Sequence, residues 1–284
     1  MKRMSSPSYS YMEVARALVD SMDSKRSTLH PKVVEAITGS NWLAAENTYS
    51  TSANSGHLCF LAECGDGALS DSTVVLGQLT KANMINLYEN YLLVKPHLRV
   101  IYDAIQNSAL DECPYCAGLS MEVKTLDHYL PKSKYPRFSV LPKNLVPACS
   151  DCNRALSASS ATSEEEQILH PYMDADHFFS EQWLYASYSE SSGIQYRVEP
   201  PSAWSNVDRR RVSYHFNALD LASRLKLAGD RELSKAMKQV RKFESIHVDL
   251  PNIVKCICTS PINDNFANHW MRVAYVAFEN YLKN

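Results

Sequence analysis

Two Cys-x-x-Cys pairs lie near the middle of this 284-residue chain and have the residue type and spacing of a metal site. They consist of Cys113 with Cys116 and of Cys149 with Cys152. Four thiolates in such pairs can bind one tetrahedral Zn²⁺ ion, because each pair wraps the ion through a tight turn. A closed four-cysteine site is structural, and zinc binding can contribute on the order of 10 kcal/mol to folding. The sequence therefore predicts a small zinc-stabilised unit.

The segment between the cysteine pairs carries side chains that could do hydrolytic chemistry. It contains the dipeptide Asp127-His128 and, further on, Asn144. The stretch Val123–Leu130 has the alternation of a strand, in which neighbouring side chains point to opposite faces. A carboxylate can bind a hard divalent cation, and a neutral imidazole can accept a proton from water. We interpret the pair as part of a metal-dependent hydrolytic site, and the alternative is a structural or surface histidine.

The order Cys-x-x-Cys, Leu-Asp-His, Asn-Leu-x-x-x-Cys-x-x-Cys-Asn over Cys113–Asn153 resembles the HNH endonucleases, whose ββα-metal fold arranges a hairpin and a helix around a divalent ion. This resemblance implies that His128 is the general base and that Asn144 holds the loop that orients it. It also implies that Asp127 is a ligand of a catalytic Mg²⁺ or Mn²⁺ ion. The third motif position is Asn153, where many members have His, and its amide oxygen could be a further ligand.

A longer stretch of sequence indicates which kind of HNH protein the chain resembles. The phrase Leu126–Pro136 and the later His-Pro-Tyr at His170 resemble stand-alone HNH proteins of prokaryotic anti-phage systems. In Septu-type systems such a nuclease works with an ATPase partner. The resemblance therefore implies a DNA substrate and an ATPase partner protein, and it makes His170 a candidate for an additional metal ligand or a phosphate contact.

The charge of the chain is unevenly distributed. A formal net charge of −2 and a pI near 6.5 argue against a protein that coats nucleic acid with its whole surface, but they allow a local basic site. The window Lys124–Arg154 has six bases and two acids. A second basic cluster, Arg209–Lys242, is interpreted first as a solvated helix face and second as a nucleic-acid contact. Candidate phosphate-binding residues in the first window, which could equally be a solubilising surface, are Lys132, Lys134, Arg137 and Lys143.

The fold class expected from hydrophobic patterning is mainly α with a small α+β insert. Helical apolar stripes flank the central segment, a β-hairpin is predicted over Trp183–Val198, and a loop is predicted over Thr48–Ser72. The expected organisation is a helical N-terminal region over 1–110 and a zinc-stapled ββα-metal (HNH) module over 111–178. A β-hairpin with a helical C-terminal region is expected over 179–284.

The sequence also predicts the compartment of the protein. The chain has no long apolar run and no apolar signal-peptide centre near Met1, so we expect a cytoplasmic protein without membrane contact. Cytosolic cysteines are rarely disulfide-bonded, and Cys59, Cys64, Cys256 and Cys258 are expected to be buried apolar side chains.

The main alternative to a nuclease is a non-catalytic zinc module that binds nucleic acid or a protein. A degenerate nuclease kept for binding is a third hypothesis, which Asn153 leaves open.

Overall fold

The computed structural model describes residues 1–62, 70–119, 122–156 and 160–284. This part of the chain is mainly α-helical and contains three two-stranded antiparallel sheets. The expected fold class, mainly α with a small β-containing insert, is therefore confirmed. Within the described ranges, none of the helices combines the length and the apolar character that crossing a bilayer requires.

The described elements follow one another along the chain. The helices are α1 (Tyr11–Asp20), α2 (His30–Thr38), α3 (Asn41–Asn54), α4 (Lys81–Asn86), α5 (Pro96–Asn107), α6 (Ser150–Leu156), α7 (His177–Ser180), α8 (Asn206–Ala218), α9 (Leu221–Ser245), α10 (Leu250–Asn263) and α11 (Trp270–Lys283). The strands are β1 (Val74–Leu76), β2 (Leu79–Thr80), β3 (Val123–His128), β4 (Leu145–Cys149), β5 (Leu184–Ser189) and β6 (Gly193–Val198). A π-helical turn, Leu87–Leu92, lies between α4 and α5.

The N-terminal helices form where the sequence supplies both a cap and an apolar stripe. At the start of α1 the Ser10 hydroxyl accepts a hydrogen bond from the Glu13 amide, and the Glu13 carboxylate accepts one from the Ser10 amide. This reciprocal capping satisfies amides that have no partner inside the helix. Tyr11, Val14 and Leu18 recur at helical spacing and are buried. The helix therefore buries one face, as a period of 3.6 residues requires.

The predicted loop Thr48–Ser72 is wrong over its first part, because α3 continues to Asn54. The helix buries Trp42 and Tyr49 on one face, while its Ser, Thr and Asn residues are largely on the other. Polar composition was the misleading signal, since a half-exposed helix needs only one apolar face. Residues 63–69 of the predicted loop lie outside the described residues.

The central segment is a hairpin followed directly by a helix. Strands β3 and β4 pair antiparallel, with Asp127 opposite Val146 and His128 opposite Leu145. Helix α6 begins at the residue after β4 and packs on β3. The predicted strand is confirmed, although it ends at His128 rather than Leu130. The chain order of this unit is β-β-α.

The C-terminal half begins with the predicted hairpin, which is confirmed as β5 and β6. Gly193 has φ of +69° at the turn, a conformation that side chains with a Cβ atom rarely adopt. The amide of the next residue, Ile194, donates to Asp230 of α9 at 2.8 Å. The hairpin thereby packs on α9 and α11.

The central hairpin lies between two hydrophobic clusters. Leu126 and Leu145 belong to a cluster with the N-terminal helices, whereas Val123 and Val146 belong to a cluster with the cysteines and the C-terminal helices. All of β4 is buried. A strand pair covered on both faces is held rigidly, because each face contributes apolar burial. The domain boundaries expected at residues 110 and 178 stay predictions.

The cysteines outside the two pairs differ in how far they are buried. Cys258 is buried as expected, and Cys59 is half-buried. The expectation is wrong for Cys256, which is exposed on α10. Cys64 lies outside the described residues.

Candidate functional site

The four paired cysteines come together in the buried interior. Cys113 and Cys116 lie in the turn after α5, Cys149 ends β4, and Cys152 is in the first turn of α6. Their Sγ atoms all lie within 4.8 Å of one another. Tetrahedral zinc with Zn–S bonds of about 2.3 Å requires sulfur atoms about 3.8 Å apart, and the Sγ atoms of Cys116 and Cys149 are 3.9 Å apart. The four residues could therefore hold a zinc ion.

An arginine that the sequence interpretation missed faces this cluster. Arg224 of α9 directs Nη1 to Sγ of Cys152 at 3.5 Å and Nη2 to Sγ of Cys149 at 3.8 Å. Nη1 also donates to the carbonyl oxygen of Leu219 at 3.0 Å. Four thiolates around Zn²⁺ carry a net charge of −2, and a guanidinium group at this distance offsets part of that charge.

The contacts of the His128 ring define which of its nitrogens is protonated. Its Nε2 atom lies 2.9 Å from the carbonyl oxygen of Ser139. A carbonyl oxygen can only accept, so Nε2 donates and carries the hydrogen. Burial lowers the pKa of His128 to about 4, against the opposing effect of the Ser139 contact. The neutral ring therefore keeps a lone pair on Nδ1, and the ring of Tyr88 packs edge-on against it at 4.5 Å.

Asn144 is fully buried and holds the loop that follows His128. Its Nδ2 donates to the carbonyl oxygens of Leu130 and Phe138, at 3.0 and 3.2 Å. Its Oδ1 accepts from the Leu130 amide at 2.7 Å and from the Tyr49 hydroxyl at 3.2 Å. These four contacts use the full hydrogen-bonding capacity of an amide. Phe138 directly precedes Ser139, so Asn144 fixes the backbone that contacts the histidine ring.

Asp127 is a buried carboxylate, 5 % exposed. The hydroxyl of Tyr115 donates to its Oδ2 at 3.2 Å. Burial raises the pKa of Asp127 to about 7, although the hydrogen bonds from Tyr115 and from the His128 amide lower it. A nearby cation would favour the ionised form. Tyr115 was also missed, and it lies inside the first Cys-x-x-Cys turn.

A cavity of about 480 Å³ brings the predicted reactive residues together. Asp127, His128 and Asn153 all line it, as does Lys132. Asn153 is half-buried on α6 and contributes from the helix, whereas the other two come from β3. The residues that line this cavity thus include a histidine, an aspartate and an asparagine, which are residue types that metal-dependent hydrolysis uses.

His170 is not part of this cavity lining. Its Nδ1 accepts from the Tyr172 amide at 3.3 Å, and its Nε2 lies 3.0 Å from the Tyr49 hydroxyl. Burial lowers the pKa of His170 to about 3. With Nδ1 accepting, Nε2 carries the hydrogen and donates to Tyr49, which in turn reaches Asn144. The geometry therefore gives His170 a supporting place behind Asn144 and does not favour the metal-ligand role predicted for it.

The predicted phosphate-binding residues are dispersed. Lys132 lines the cavity, and its Nζ lies 2.5 Å from Glu89. Lys143 forms an ion pair with a glutamate of α3 at 3.1 Å. Lys134 hydrogen-bonds to a serine, and Arg137 lies over a phenylalanine ring. None of these contacts tests nucleic-acid binding, which stays a prediction for all four.

The second basic cluster is partly internal, which corrects its interpretation as a solvated face. Arg211 is 4 % exposed and pairs with Asp174 through two hydrogen bonds of 3.0 and 2.7 Å. Arg224 contacts the cysteine cluster. Arg211 is therefore part of the buried interior and Arg224 is partly buried beside the thiols. The run of charged residues on these helices predicted neither position.

Comparison with known proteins gives two relatives. Protein Ea31 of phage lambda is 36 % identical over 234 residues, which cover 75 % of this chain and 76 % of Ea31. The Septu protein PtuB of Bacillus thuringiensis is 32 % identical over 83 residues, which cover 28 % of this chain and 30 % of PtuB. No family model matches the chain, and no solved structure is significantly similar to it.

Proposed function

This chain belongs to the family of the phage lambda protein Ea31, and we propose that it is a metal-dependent endonuclease of the HNH type that hydrolyses DNA. The observation that carries the proposal is the position of His128. Its ring is neutral, is oriented through Nε2 by the Ser139 carbonyl group, and lines a cavity shared with Asp127 and Asn153. The β-β-α order of this unit and its cysteine cluster fit the same assignment.

His128 acts as the general base in this proposal. Its Nδ1 lone pair accepts a proton from the water molecule that attacks the phosphorus atom. The Nε2 hydrogen bond to the Ser139 carbonyl oxygen stabilises the positive charge that develops on the ring. Asn144 keeps that carbonyl group in place through its contacts with Leu130 and Phe138. A base of this kind contributes typically about 10²- to 10⁴-fold to the rate.

The donor groups in the cavity fit a hard divalent cation. Asp127 offers carboxylate oxygen atoms and Asn153 offers an amide oxygen, and both line the cavity that contains His128. Mg²⁺ and Mn²⁺ prefer such oxygen ligands. When bound, the ion would polarise the scissile phosphate and stabilise charge on the leaving oxygen. The cysteine cluster would hold Zn²⁺ in a separate, structural role.

Lys132 is the basic residue best placed to contact the substrate. It lies in the cavity wall beside His128 and is paired with Glu89. A phosphate group of the DNA backbone can replace the glutamate as its partner, because both are anionic oxygen acceptors. Such contacts give affinity without sequence recognition. Lys134, Arg137 and Lys143 would then contribute at flanking phosphates.

The similarity to the Septu protein PtuB supports a more specific role. We propose that the chain is an effector of an anti-phage defence system and that an ATPase is its partner. An unrestrained nuclease is hazardous to its own cell, so we expect a partner to control its activity.

The experiment is plasmid cleavage in Mg²⁺ or Mn²⁺ by the wild type and by His128→Ala. Each protein is assayed alone and with any ATPase encoded beside its gene, and its zinc content is measured. The exposed residue His97 supplies a matched control, His97→Ala. We expect cleavage by the wild type and the control, and a loss of about 100-fold or more for His128→Ala, with equal zinc in all three.

Two results would contradict the nuclease. One is a wild type that never cuts under any of these conditions, and the other is a His128→Ala variant that cuts equally well. DNA binding without cleavage, unchanged in the variant, would favour the non-catalytic zinc module.

A further inference from the structure

Tyr115 connects the cysteine cluster to Asp127, one of the residues that line the cavity. It lies between Cys113 and Cys116 and is fully buried. Its hydroxyl donates to Oδ2 of Asp127 at 3.2 Å. The turn that surrounds the predicted zinc ion thus supplies a hydrogen bond to a predicted ligand of the other metal ion.

The backbone of Tyr115 is fixed from more than one direction. Nε2 of His215, on α8, donates to its carbonyl oxygen at 2.8 Å. The amide of Lys2 donates to the carbonyl oxygen of the preceding residue, Pro114, at 3.0 Å. The cysteines on either side are held when zinc is bound. A ring on such a backbone places its hydroxyl at a defined point.

A fixed donor on one oxygen restricts the rotation of the Asp127 carboxylate. A carboxylate has about four lone-pair sites, so one hydrogen bond to Oδ2 leaves others for a cation. Partners of this kind orient the ligand of a metal, and their loss typically weakens metal affinity by about 10- to 100-fold.

We propose that Tyr115 is the positioning residue for Asp127, so that the zinc-binding turn sets the geometry of the divalent-ion site. This inference rests on the proposed function only in taking Asp127 as a metal ligand. In consequence, the cysteine cluster is more than a structural staple, because it carries the side chain that orients the second site.

The test measures Mn²⁺ affinity by calorimetry for the wild type, Tyr115→Phe and Tyr196→Phe. Tyr196 is the matched control, since its buried hydroxyl donates to the Trp270 carbonyl oxygen at 3.1 Å, in the C-terminal half of the chain. We expect Tyr115→Phe to bind Mn²⁺ about 10-fold more weakly, with unchanged zinc content and far-UV circular dichroism. Tyr196→Phe is expected to bind Mn²⁺ as the wild type does.

Introducing Tyr115→Phe into the Asp127→Asn variant shows whether Tyr115 acts by orienting the Asp127 carboxylate or only by packing. We expect Tyr115→Phe to have no further effect on Mn²⁺ affinity there. Cleavage by Tyr115→Phe should recover at high Mn²⁺, since the defect is in affinity. Equal affinity of Tyr115→Phe and the wild type, an equal loss in the Asp127→Asn background, or a wild type that binds no Mn²⁺ would each overturn the inference. If the wild type binds Mn²⁺ in the expected pattern but cuts no DNA, the proposed function fails and the inference stands.

A measurement on the unmutated side chain guards against a variant that does not fold. Tyrosine labelled with ¹³C at Cζ can be placed at position 115 and observed while Mg²⁺ is added. We expect its resonance to move as the hydrogen bond to Asp127 changes. A resonance that stays in place while calorimetry detects Mg²⁺ binding would contradict the proposal.

Discussion

Nε2 of His128 lies 2.9 Å from the carbonyl oxygen of Ser139, and this contact decides which ring nitrogen can act as a base. The donor must be the imidazole, so the lone pair is on Nδ1. The carbonyl group is held in turn by the neighbouring hydrogen bond from Asn144 to Phe138. The orientation of the base therefore depends on a residue that touches neither the ring nor the cavity.

Asn144→Ala should reduce stability and activity together. It removes four buried hydrogen bonds, and each buried group left without a partner costs about 1 to 3 kcal/mol. We expect a fall of about 3 kcal/mol or more in the free energy of unfolding, measured by urea denaturation, and loss of DNA cleavage. Asn90→Ala, at an exposed position of the π-helical turn, is the control. Wild-type stability in Asn144→Ala would show that the loop does not depend on this side chain.

Removing one partner of the ion pair of Arg211 and Asp174 should destabilise the fold strongly. Replacing both partners by apolar residues should destabilise it less. Both side chains are about 95 % buried, at 5 % and 4 % exposure. Removing one partner of a buried pair leaves an uncompensated charge, which typically costs about 3 to 5 kcal/mol. We expect a loss of that size in Asp174→Asn, and a smaller loss in the double variant Arg211→Met with Asp174→Leu, both by urea denaturation.

An exposed pair serves as the comparison for that experiment. Arg99 and Asp103 on α5 are 45 % and 44 % exposed and lie 2.7 Å apart. Pairs of this kind contribute about 0.3 to 0.5 kcal/mol, so Asp103→Asn should have little effect. If Asp174→Asn were equally mild, the buried arginine would have to be satisfied by other groups.

Local sequence patterns were sufficient for the parts of the site that are close in the chain. The two cysteine pairs were predictable because each is a turn of a few residues, and the four Sγ atoms do meet. The strand containing Asp127 and His128 was predictable from alternation. The zinc ion was expected from the two cysteine pairs, and the four cysteines could hold it. The catalytic Mg²⁺ or Mn²⁺ ion was expected from the resemblance and stays a prediction.

Residues that act from a distance were not predictable. Tyr115 reaches Asp127 only because β3 folds back beside the cysteine turn. Arg224 reaches the thiols because α9 crosses the cluster, and in the sequence it was one of many charged residues on a helix. Tyr49 lies in a segment whose polar composition predicted a loop, yet it contacts Asn144. Such contacts depend on tertiary packing, which periodicity does not encode.

Stability should fall as the pH is lowered from about 6.5 towards 4. Burial lowers the pKa of His128 to about 4 and those of His170 and His215 to about 3, against 6.5 for an ordinary histidine. In this window the unfolded state binds more protons than the folded state, so the free energy of unfolding decreases with decreasing pH. Asp127 acts in the opposite direction, because burial raises its pKa to about 7 and the folded state then binds the extra proton. The three histidines together lower the free energy of unfolding by more than the single carboxyl group raises it, so the net effect of acid is a loss of stability.

His215→Gln tests the pH argument at one residue. Glutamine is polar but does not titrate, so the slope of stability against pH between about 4 and 6 should fall by roughly one proton, or about 1.4 kcal/mol per pH unit. The measurement is urea denaturation at several pH values, with the exposed His97→Gln as control. Parallel slopes for His215→Gln and the wild type would exclude His215 as a source of the acid sensitivity.

Arg224 should slow the loss of zinc. Its guanidinium group contacts the sulfur atoms of Cys152 and Cys149 at 3.5 and 3.8 Å and offsets the negative charge of the thiolates. We expect Arg224→Met to release zinc to a chromogenic chelator about 10-fold faster than the wild type. Arg224→Lys should lie between them, because lysine keeps the charge but lacks the planar fork.

Two further variants are controls for the rate of zinc release. Lys238→Met removes an exposed charge about four turns further along the same helix and should leave the release rate unchanged. Cys116→Ser removes one thiol of the cluster and should be isolated with little zinc and a locally unfolded centre. Release from Arg224→Met at the wild-type rate would mean that the guanidinium contacts are packing contacts without an electrostatic role. A rate for Arg224→Lys as fast as that for Arg224→Met would assign the effect to the bidentate geometry rather than to the charge.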